Sequence, residues 1–277
     1  MKNRFNLFHR VIGRVFLWLR ILRSFKGLKF SSSLNLFLSA LIDIAMSVFV
    51  NPSLPRIICS GIYIVKSNPS FIVYVRGNTD DLYFLLPYRE GPIDRVIRML
   101  LKEGDIFIDV GANVGYYTLL AARRGGRVIA VEPVPETATV LRINLKLNHL
   151  DNSVQIVTKC LYKSETEMKI YIPLSKHYGL ASLYHARGYR HHTITVPCTM
   201  LDKITANYDK IKLIKIDAEG AEYDILLGAE STLGKVEYLI IEISRNAKEI
   251  IEYLEYKGFQ VKPLGFTTYV LAMRNSS

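Results

Sequence analysis

An alternation of strand-like and helix-like patterns from residue 106 onward restricts the fold of this chain more than any other feature. Short apolar runs at residues 106–110, 128–132, 154–158, 213–217 and 238–243 predict strands, and amphipathic segments at 116–124, 135–148, 222–227 and 247–257 predict helices. Two more strands, 260–263 and 268–272, flank a turn at Gly265 and are expected to pair antiparallel. Repeated β-α-β units predict an α/β fold with a mostly parallel sheet covered on both faces.

A glycine-rich loop with the sequence DVGANVG, residues 109–115, follows the first of these strands. Gly111 and Gly115 allow the backbone to turn sharply and to approach a ligand, and Asp109 places a carboxylate at the strand end. Glu132 ends the next strand, 23 residues after Asp109, where a carboxylate can accept hydrogen bonds from both hydroxyls of a ribose. The loop and this acid together predict a nucleoside-binding site at the carboxyl ends of the strands.

Two cofactor classes compete for this site. A dinucleotide site has three glycines spaced G-x-G-x-x-G and places a pyrophosphate at the helix N-terminus. This loop has only Gly111 and Gly115, with Asn113 between them, and the charge of Asp109 would repel a pyrophosphate. S-adenosylmethionine carries an ammonium, a sulfonium and a ribose, which suit an acidic site. The loop therefore favours S-adenosylmethionine, and an NAD-dependent oxidoreductase is the alternative enzyme.

Several collinear segments resemble the FkbM family of S-adenosylmethionine-dependent methyltransferases. They are DVGANVGYYTLLAA at 109–122, AVEP at 130–133, LDKI at 201–204, IKIDAEGAEYDILLGA at 214–229 and LIIEIS at 239–244. The resemblance extends over residues 85–245 and includes a D-x-E-G-x-E signature. It implies a class I methyltransferase fold, Rossmann-like, with a seven-stranded sheet whose last strand is antiparallel. It also implies methyl transfer to oxygen, usually a hydroxyl of a sugar or a polyketide-like product.

The resemblance also implies roles for individual residues in holding S-adenosylmethionine. It places Asp109, Gly111, Asn113 and Gly115 around the methionine part, Glu132 on the ribose, Pro133 and Val134 near the adenine, and Glu90 at an acidic position that precedes the loop. For Glu90, a solvated or helix-capping acid is the alternative.

The acids of the signature are the candidates for handling the methyl acceptor. Methyl transfer from a sulfonium is an in-line displacement, so the acceptor oxygen must lie about 3–3.5 Å from the methyl carbon and lose its proton. Asp217 is the first candidate for orienting or deprotonating the acceptor, and Glu219 is the second. Glu222 is expected to cap the next helix. Glu242 either joins the acceptor pocket or caps the sheet edge. Magnesium is an alternative ligand of these acids, but we expect no metal because no separate acidic pair has ligand spacing.

A long connection at residues 160–208 separates the third and fourth parallel strands. Its position over the carboxyl ends of the sheet predicts a cover that selects the substrate. It contains a strand-like segment at 168–172 and the sequence GLASLY at 179–184. His177 is a candidate general base because the ordinary pKa of histidine lies near neutrality, with a surface histidine as the alternative. His191 and His192 are adjacent and lack the spacing of zinc ligands.

The first 84 residues are expected to form an appendage to a methyltransferase domain at residues 85–277. The net charge is +11, but residues 1–30 contain eight basic residues and no acid, so the remainder carries only +3. The other alternative is a non-catalytic membrane- or nucleic-acid-binding protein with an inert nucleotide fold. The nearly balanced body and the presence of Asp109 and Asp217 argue against it. Segments at 62–65 and 71–75 predict a short β-hairpin within the appendage.

The basic N-terminal segment also has a helical pattern. Apolar side chains from Phe5 to Leu22 recur at three- and four-residue steps, opposite Arg10, Arg14 and Arg20. Together with Trp18, this pattern is typical of a helix on an anionic membrane surface, and we expect peripheral contact through residues 1–30. Packing of this helix against its own domain, with solvated arginines, is the alternative.

The remaining features concern the location of the protein. The apolar stretch at residues 34–50 is not expected to span a membrane, because Asp43 lies in its middle, where a carboxylate costs roughly 2.5–3.5 kcal/mol. Cys59, Cys160 and Cys198 are an odd number without a C-x-x-C pair, which argues against a disulfide framework and a cysteine zinc site. The arginines near the N-terminus argue against a signal peptide. We therefore expect a cytoplasmic protein that contacts the membrane at most peripherally.

Overall fold

The computed structural model describes residues 2–49, 54–176, 178–184 and 190–275, with the backbone alone for residues 2–8. The chain forms two compact units that are divided between Arg89 and Glu90.

The N-terminal unit combines helices with a small antiparallel sheet. Its elements are α1 (Lys2–Ser24), β1 (Phe25–Gly27), α2 (Phe30–Met46), β2 (Gly61–Val65), β3 (Phe71–Val75) and α3 (Asp81–Phe84). The sheet has the order β1-β2-β3, so the predicted hairpin is present and the unpredicted β1 extends it. In the described residues, no helix is both long and apolar enough to cross a membrane.

Helix α1 packs within this unit through a face that the sequence pattern did not predict. Trp18 and Ile21 are fully buried, and Arg14 is buried in an ion pair with Asp43 of α2. The indole of Trp18 also donates a hydrogen bond to Asp43. The predictions of a solvated Arg14 and a surface Trp18 are therefore wrong, because one carboxylate in α2 supplies a partner for both side chains. Phe16, on the predicted apolar face, is instead 64% exposed.

The second unit is built around a seven-stranded sheet. Its elements are α4 (Gly91–Leu100), β4 (Ile106–Val110), α5 (Tyr116–Arg123), β5 (Arg127–Val131), α6 (Pro135–Leu147), β6 (Val154–Val157), β7 (Cys160–Leu161), β8 (Thr166–Pro173), β9 (His191–Thr199), α7 (Leu201–Ile204), β10 (Ile211–Ile216), α8 (Glu222–Leu227), α9 (Glu230–Leu233), β11 (Val236–Glu242), α10 (Ala247–Tyr256), β12 (Phe259–Pro263) and β13 (Tyr269–Arg274).

The order of the strands in the large sheet is β12-β13-β11-β10-β4-β5-β6. β4, β5, β6, β10 and β11 are parallel, whereas β13 is antiparallel to both β11 and β12. This arrangement confirms the predicted α/β fold with an antiparallel last strand. The chain leaves β4 toward β5 on one side and reaches β10 on the other, so the strand order reverses here. Ligands of open parallel sheets bind at such a reversal, beyond the carboxyl ends of the strands.

The connection between β6 and β10 forms a separate sheet of order β7-β9-β8. The strand-like segment at 168–172 lies within β8, but β9 was not predicted, since its sequence is polar at several positions. Cys160 in β7 lies opposite Cys198 in β9, with Cα atoms 4.4 Å apart, and the two form a disulfide. The expectation of a chain without disulfides is therefore wrong, because strand pairing brings together two cysteines that are 38 residues apart.

Gly111 marks a close contact between the two loops at the strand reversal. Its φ of 76° lies in the left-handed region that favours glycine. A Cβ atom at this position would overlap the backbone carbonyl oxygen of Asp217. The absence of a side chain therefore allows the loop after β4 to lie directly against the loop after β10.

Replacing Gly111 with alanine should destabilise the protein more than the backbone angle alone explains. Gly104 is the matched control, because its φ is 84° and a Cβ atom there would meet nothing within 4 Å. We expect Gly104→Ala to lower the free energy of unfolding by about 1 kcal/mol and Gly111→Ala to lower it by at least about 2 kcal/mol more. Urea denaturation measures both values, and equal losses would contradict the close contact.

Candidate active site

A buried lysine lies between the ends of two neighbouring parallel strands. Lys215 of β10 is paired in register with Asp109 of β4, and its side chain is 2% exposed. Its Nζ atom lies 3.0 Å from Oδ2 of Asp217 and 3.9 Å from Oδ1 of Asp109. Burial lowers the pKa of Lys215, but the two carboxylates outweigh burial and raise that pKa above its ordinary value. The ammonium group is therefore charged at neutral pH.

Asp109 has one satisfied and one unsatisfied carboxylate oxygen. The hydroxyl of Thr118 donates to its Oδ2 at 2.6 Å, whereas its buried Oδ1 has no hydrogen-bond partner in the part of the chain that the structure describes. Burial raises the pKa of Asp109, and Lys215 and Thr118 oppose this shift only in part. Buried polar atoms are normally hydrogen-bonded. An unsatisfied carboxylate oxygen next to the glycine loop thus fits the ammonium group of an amino-acid ligand.

The glycine loop and Glu132 are tied together by backbone hydrogen bonds. The amide of Asn113, a residue with a φ of 50°, donates to Oε2 of Glu132 at 2.9 Å, and the amide of Val134 donates to Oε1 at 3.0 Å. Gly115, with a φ of 98°, directly precedes α5, and Pro133, two residues after the end of β5, is half-buried. These contacts fix the Glu132 carboxylate beside the loop, at the position where a carboxylate suits the hydroxyls of a ribose.

Three carboxyl groups gather at the ends of β10 and β11. The oxygens of Asp217, Glu219 and Glu242 lie within 4.8 Å of one another. Burial raises the pKa of Glu219 to about 8, and the neighbouring charges of Asp217 and Glu242 add to this shift. Burial and the charge of Asp217 likewise raise the pKa of Glu242 to about 8. Both glutamates are therefore largely protonated at neutral pH.

Asp217 differs from the two glutamates because it has cationic and hydrogen-bonding partners. Burial alone would raise its pKa, but the charge and hydrogen bond of Lys215 lower the pKa below its ordinary value. The hydroxyl of Tyr269 also donates to Oδ2 of Asp217 at 2.8 Å. Asp217 is therefore ionised and held in one position, whereas its neighbours carry protons.

Glu90 is connected to this cluster through tyrosines. Tyr117 donates a hydrogen bond to its Oε2 at 2.7 Å, and the hydroxyl oxygen of Tyr269 lies 3.4 Å from its Oε1. Its side chain makes no capping hydrogen bond to α4. Glu90 thus occupies the N-cap position of α4 through its backbone, while its carboxylate contacts Tyr117 instead of the helix. Tyr269 and Lys215 were both missed by the sequence analysis. For Lys215 a signal existed in the sequence IKLIKI of β10, since a lysine at a buried position of a strand requires an acidic partner.

The loop that carries the signature is held by Glu222. Its Oε1 accepts hydrogen bonds from the amides of Ala218 and Gly220, and its Oε2 accepts one from the hydroxyl of Ser244. Glu222 thus satisfies backbone amides directly before α8, which is the structural role that the sequence suggested for it. Its side chain is fully buried, and these hydrogen bonds hold its carboxylate in place.

The connection that contains β8 and β9 also contacts the signature loop. The hydroxyl of Ser182 donates to the carbonyl oxygen of Glu219 at 2.6 Å, and Tyr184 donates to Asp224 at 2.5 Å. The guanidinium group of Arg245 stacks 4.2 Å from the ring centre of Tyr184. The GLASLY segment therefore lies against the loop that positions Glu219. His177 lies outside the described residues.

Asp217, Glu219 and Glu242 offer oxygen ligands of the kind that a divalent cation prefers. The ammonium of Lys215 and the hydroxyl of Tyr269 already occupy Oδ2 of Asp217. The structure thus supplies a positive charge to this cluster from the protein itself, and we assign no metal to it.

Known proteins similar to this chain include methyltransferases of several kinds. Methyltransferase 1 of Beauveria bassiana (strain ARSEF 2860) is 24% identical over 206 residues, which cover 63% of this chain and 80% of that protein. A probable protein arginine N-methyltransferase 6.1 of Oryza sativa subsp. indica is 31% identical over 84 residues, 30% of this chain, and the chain spans only 22% of its length. The crystal structure of methyltransferase FkbM from Methylobacillus flagellatus KT has a TM-score of 0.43 and 14% identity, covering 70% of this chain and 54% of that one.

The family model of the methyltransferase FkbM domain matches residues 109–261, more than half of the chain. The matched region begins at Asp109 and includes the glycine loop, Glu132, Lys215 and the signature acids. The family and fold class predicted from the sequence are thereby confirmed. They imply S-adenosylmethionine as the methyl donor, in preference to NAD. The chain belongs to the methyltransferase FkbM domain family.

Proposed function

We propose that this protein transfers a methyl group from S-adenosylmethionine to a hydroxyl oxygen of a sugar, glycan or glycolipid. The observation that carries this proposal is the cluster of Asp217, Glu219 and Glu242 next to the glycine loop. The bound donor supplies an electrophilic methyl group on a sulfonium. The protein must then bind the donor, orient the acceptor oxygen and remove its proton.

The donor would be held by the residues around the ends of β4 and β5. The unsatisfied Oδ1 of Asp109 would accept a hydrogen bond from the donor's ammonium group, and Glu132 would accept hydrogen bonds from the ribose. Gly111, Asn113 and Gly115 of the same loop would surround the methionine part. Pro133 would contact the adenine. Glu90, fixed by Tyr117, would add negative potential near the sulfonium.

Asp217 is suited to orient the acceptor. Its carboxylate is held by Lys215 and Tyr269, so it stays ionised and keeps a fixed direction. A low pKa makes a carboxylate a weak base, but the ionised group still accepts charge-assisted hydrogen bonds. An acceptor hydroxyl that donates to Asp217 would therefore be aligned for attack without the immediate loss of its proton.

Glu219 is suited to take the proton. General bases work best when their pKa lies near the working pH, and the pKa of Glu219 is raised to about 8. A minor fraction of the group is then ionised at pH 7, and this fraction is a stronger base than an ordinary carboxylate. Arrival of the cationic donor would increase that fraction, because an opposite charge lowers the pKa of a carboxyl group.

The ionised Asp217 supports an uncharged, hydroxyl-bearing acceptor. A sugar hydroxyl can donate a hydrogen bond to this carboxylate, whereas a phosphate group has no hydrogen to donate and would be repelled by it. Methylation of nucleic acid finds less support for this reason. The experiment that tests the acceptor class is mass spectrometry of glycans and lipids from cells with and without the protein. A sugar-containing species that gains one methyl group only with the protein supports the proposal, and a methylated RNA or protein instead of it would overturn it.

Replacing Asp217 with asparagine should separate donor binding from methyl transfer. We expect Asp217→Asn to bind S-adenosylmethionine with nearly the native affinity, because its carboxylate faces the acceptor, and to lose about 10²–10⁴-fold in turnover. Calorimetry measures the affinity, and formation of S-adenosylhomocysteine measures turnover. Glu237→Gln is the control, since Glu237 pairs with Lys210 and Lys212 away from the cluster. Full turnover by Asp217→Asn would remove this residue from the mechanism.

The raised pKa of Glu219 predicts a pH-dependent cost in stability. Its pKa is about 8 in the folded protein and 4.5 ordinarily, so the folded state binds more protons between these values and stability falls as the pH rises from 4.5 to 8. Glu219→Gln removes this cost. We expect its Tm to exceed that of the native protein by roughly 3 °C or more at pH 8.5 and to match it near pH 4.5.

The control for this experiment is Glu255→Gln, which removes one charge from an exposed position of α10. It should leave the pH dependence of the Tm unchanged. If Glu219→Gln also left the pH dependence unchanged, the carboxyl group of Glu219 would not be buried among like charges.

A further inference from the structure

Helix α2 presents an apolar stripe to solvent. Six large side chains, 42–84% exposed, recur along it at steps of three and four residues: Phe30, Leu34, Phe37, Leu38, Leu41 and Ile42. We call these six residues the α2 stripe. Their spacing places them on one side of the helix, over an arc wider than about 100°. Single exposed apolar residues are ordinary, but a continuous stripe of this kind marks an interaction surface.

The α2 stripe is not the face that holds the N-terminal unit together. Leu36, Ser39 and Ala40 are buried on the other side of the helix. Asp43, on that same side, binds Arg14 and Trp18 of α1. The helix therefore packs within the unit through one face and has a second apolar face that is exposed.

The length and composition of α2 restrict what can cover this face. Asp43 is the only ionisable residue in the sequence of α2, so the exposed stripe itself carries no charge. The helix has 17 residues, about 25 Å at 1.5 Å per residue, which is shorter than the roughly 30 Å hydrocarbon core of a bilayer. The helix therefore fits the plane of a membrane surface and not the span of a membrane.

The basic residues that precede the α2 stripe in the sequence indicate which kind of partner can cover it. Lys26 and Lys29 are exposed immediately before α2, and residues 1–30 contain eight basic residues and no acid. Two copies of this segment would repel each other, whereas the headgroups of an anionic bilayer would attract it. Apolar side chains flanked by basic residues are the combination that inserts at the boundary of headgroups and acyl chains.

We propose that the α2 stripe inserts in the plane of an anionic membrane surface, with Lys26 and Lys29 at the lipid headgroups. This surface differs from the contact through residues 1–30 that the sequence suggested, because Trp18 and Arg14 are buried and the apolar side chains belong mainly to α2. The proposal depends only on the N-terminal unit. It therefore stands or falls independently of the acceptor proposed above.

The test uses the full chain with vesicles of phosphatidylcholine, with or without phosphatidylglycerol. The native protein should sediment with the anionic vesicles, and Phe37→Glu/Leu41→Glu should reduce this binding roughly tenfold or more, because two inserted apolar side chains are lost. Met99→Glu/Tyr256→Glu is the matched control, since it makes the same charge change at two exposed large side chains of the second unit. Lys26→Glu/Lys29→Glu should weaken binding only to the anionic vesicles.

A fluorescent variant reports insertion directly. Trp18 is the single tryptophan of the chain and is fully buried, so its emission is a constant background and a check on the fold. In Phe37→Trp, the added indole should shift its emission to the blue on anionic vesicles and be quenched by brominated acyl chains. Native binding by Phe37→Glu/Leu41→Glu, or no quenching of the added indole, would overturn the proposal. Loss of a dimer in Phe37→Glu/Leu41→Glu, with vesicle binding unchanged, would also overturn the proposal. That result would identify a second copy of the chain as the occupant of the α2 stripe.

Discussion

The candidate active site depends on the ion pairs that the buried ammonium group of Lys215 forms with Asp109 and Asp217. Two adjacent parallel strands each bring a carboxylate to the same sheet edge, Asp109 from β4 and Asp217 after β10. Burial of both charges without compensation would be strongly unfavourable. Lys215 lies between them and makes their proximity possible. The charge of Lys215 keeps Asp217 ionised, whereas the neighbouring Glu219 and Glu242 are largely protonated.

The other residues of the site come from segments before Asp109 and after Asp217 in the chain. Tyr269, on the antiparallel strand β13, contacts both Asp217 and Glu90, although Glu90 and Tyr269 are 179 residues apart. Gly111 allows the two central loops to meet, and Glu222 holds the signature loop in its turn. The glycine loop and the acidic cluster are therefore parts of one connected network, as the proposed site for both the methyl donor and the acceptor requires.

The sequence predicted those features that depend on local pattern, and failed where distant residues meet. The alternation of apolar runs identified the strands of the large sheet and the glycine loop, since both signals are contained in short windows. Lys215 and Tyr269 were missed because their roles come from the register of neighbouring strands. The disulfide of Cys160 and Cys198 depends on the pairing of β7 with β9, which no count of cysteines reveals. Trp18 and Arg14 were assigned to a surface because periodicity cannot show that Asp43 lies opposite them.

We propose that the acidic cluster of Asp217, Glu219 and Glu242 lies where the reacting end of S-adenosylmethionine binds. Calorimetric titration of the donor at pH 7, in buffers of different ionisation enthalpy, measures the protons exchanged on binding. Because Glu219 has a pKa of about 8, a nearby sulfonium should lower that pKa and release a fraction of a proton for each donor bound. The release should shrink in Glu219→Gln. Donor binding without proton release, or with proton uptake, would contradict the account.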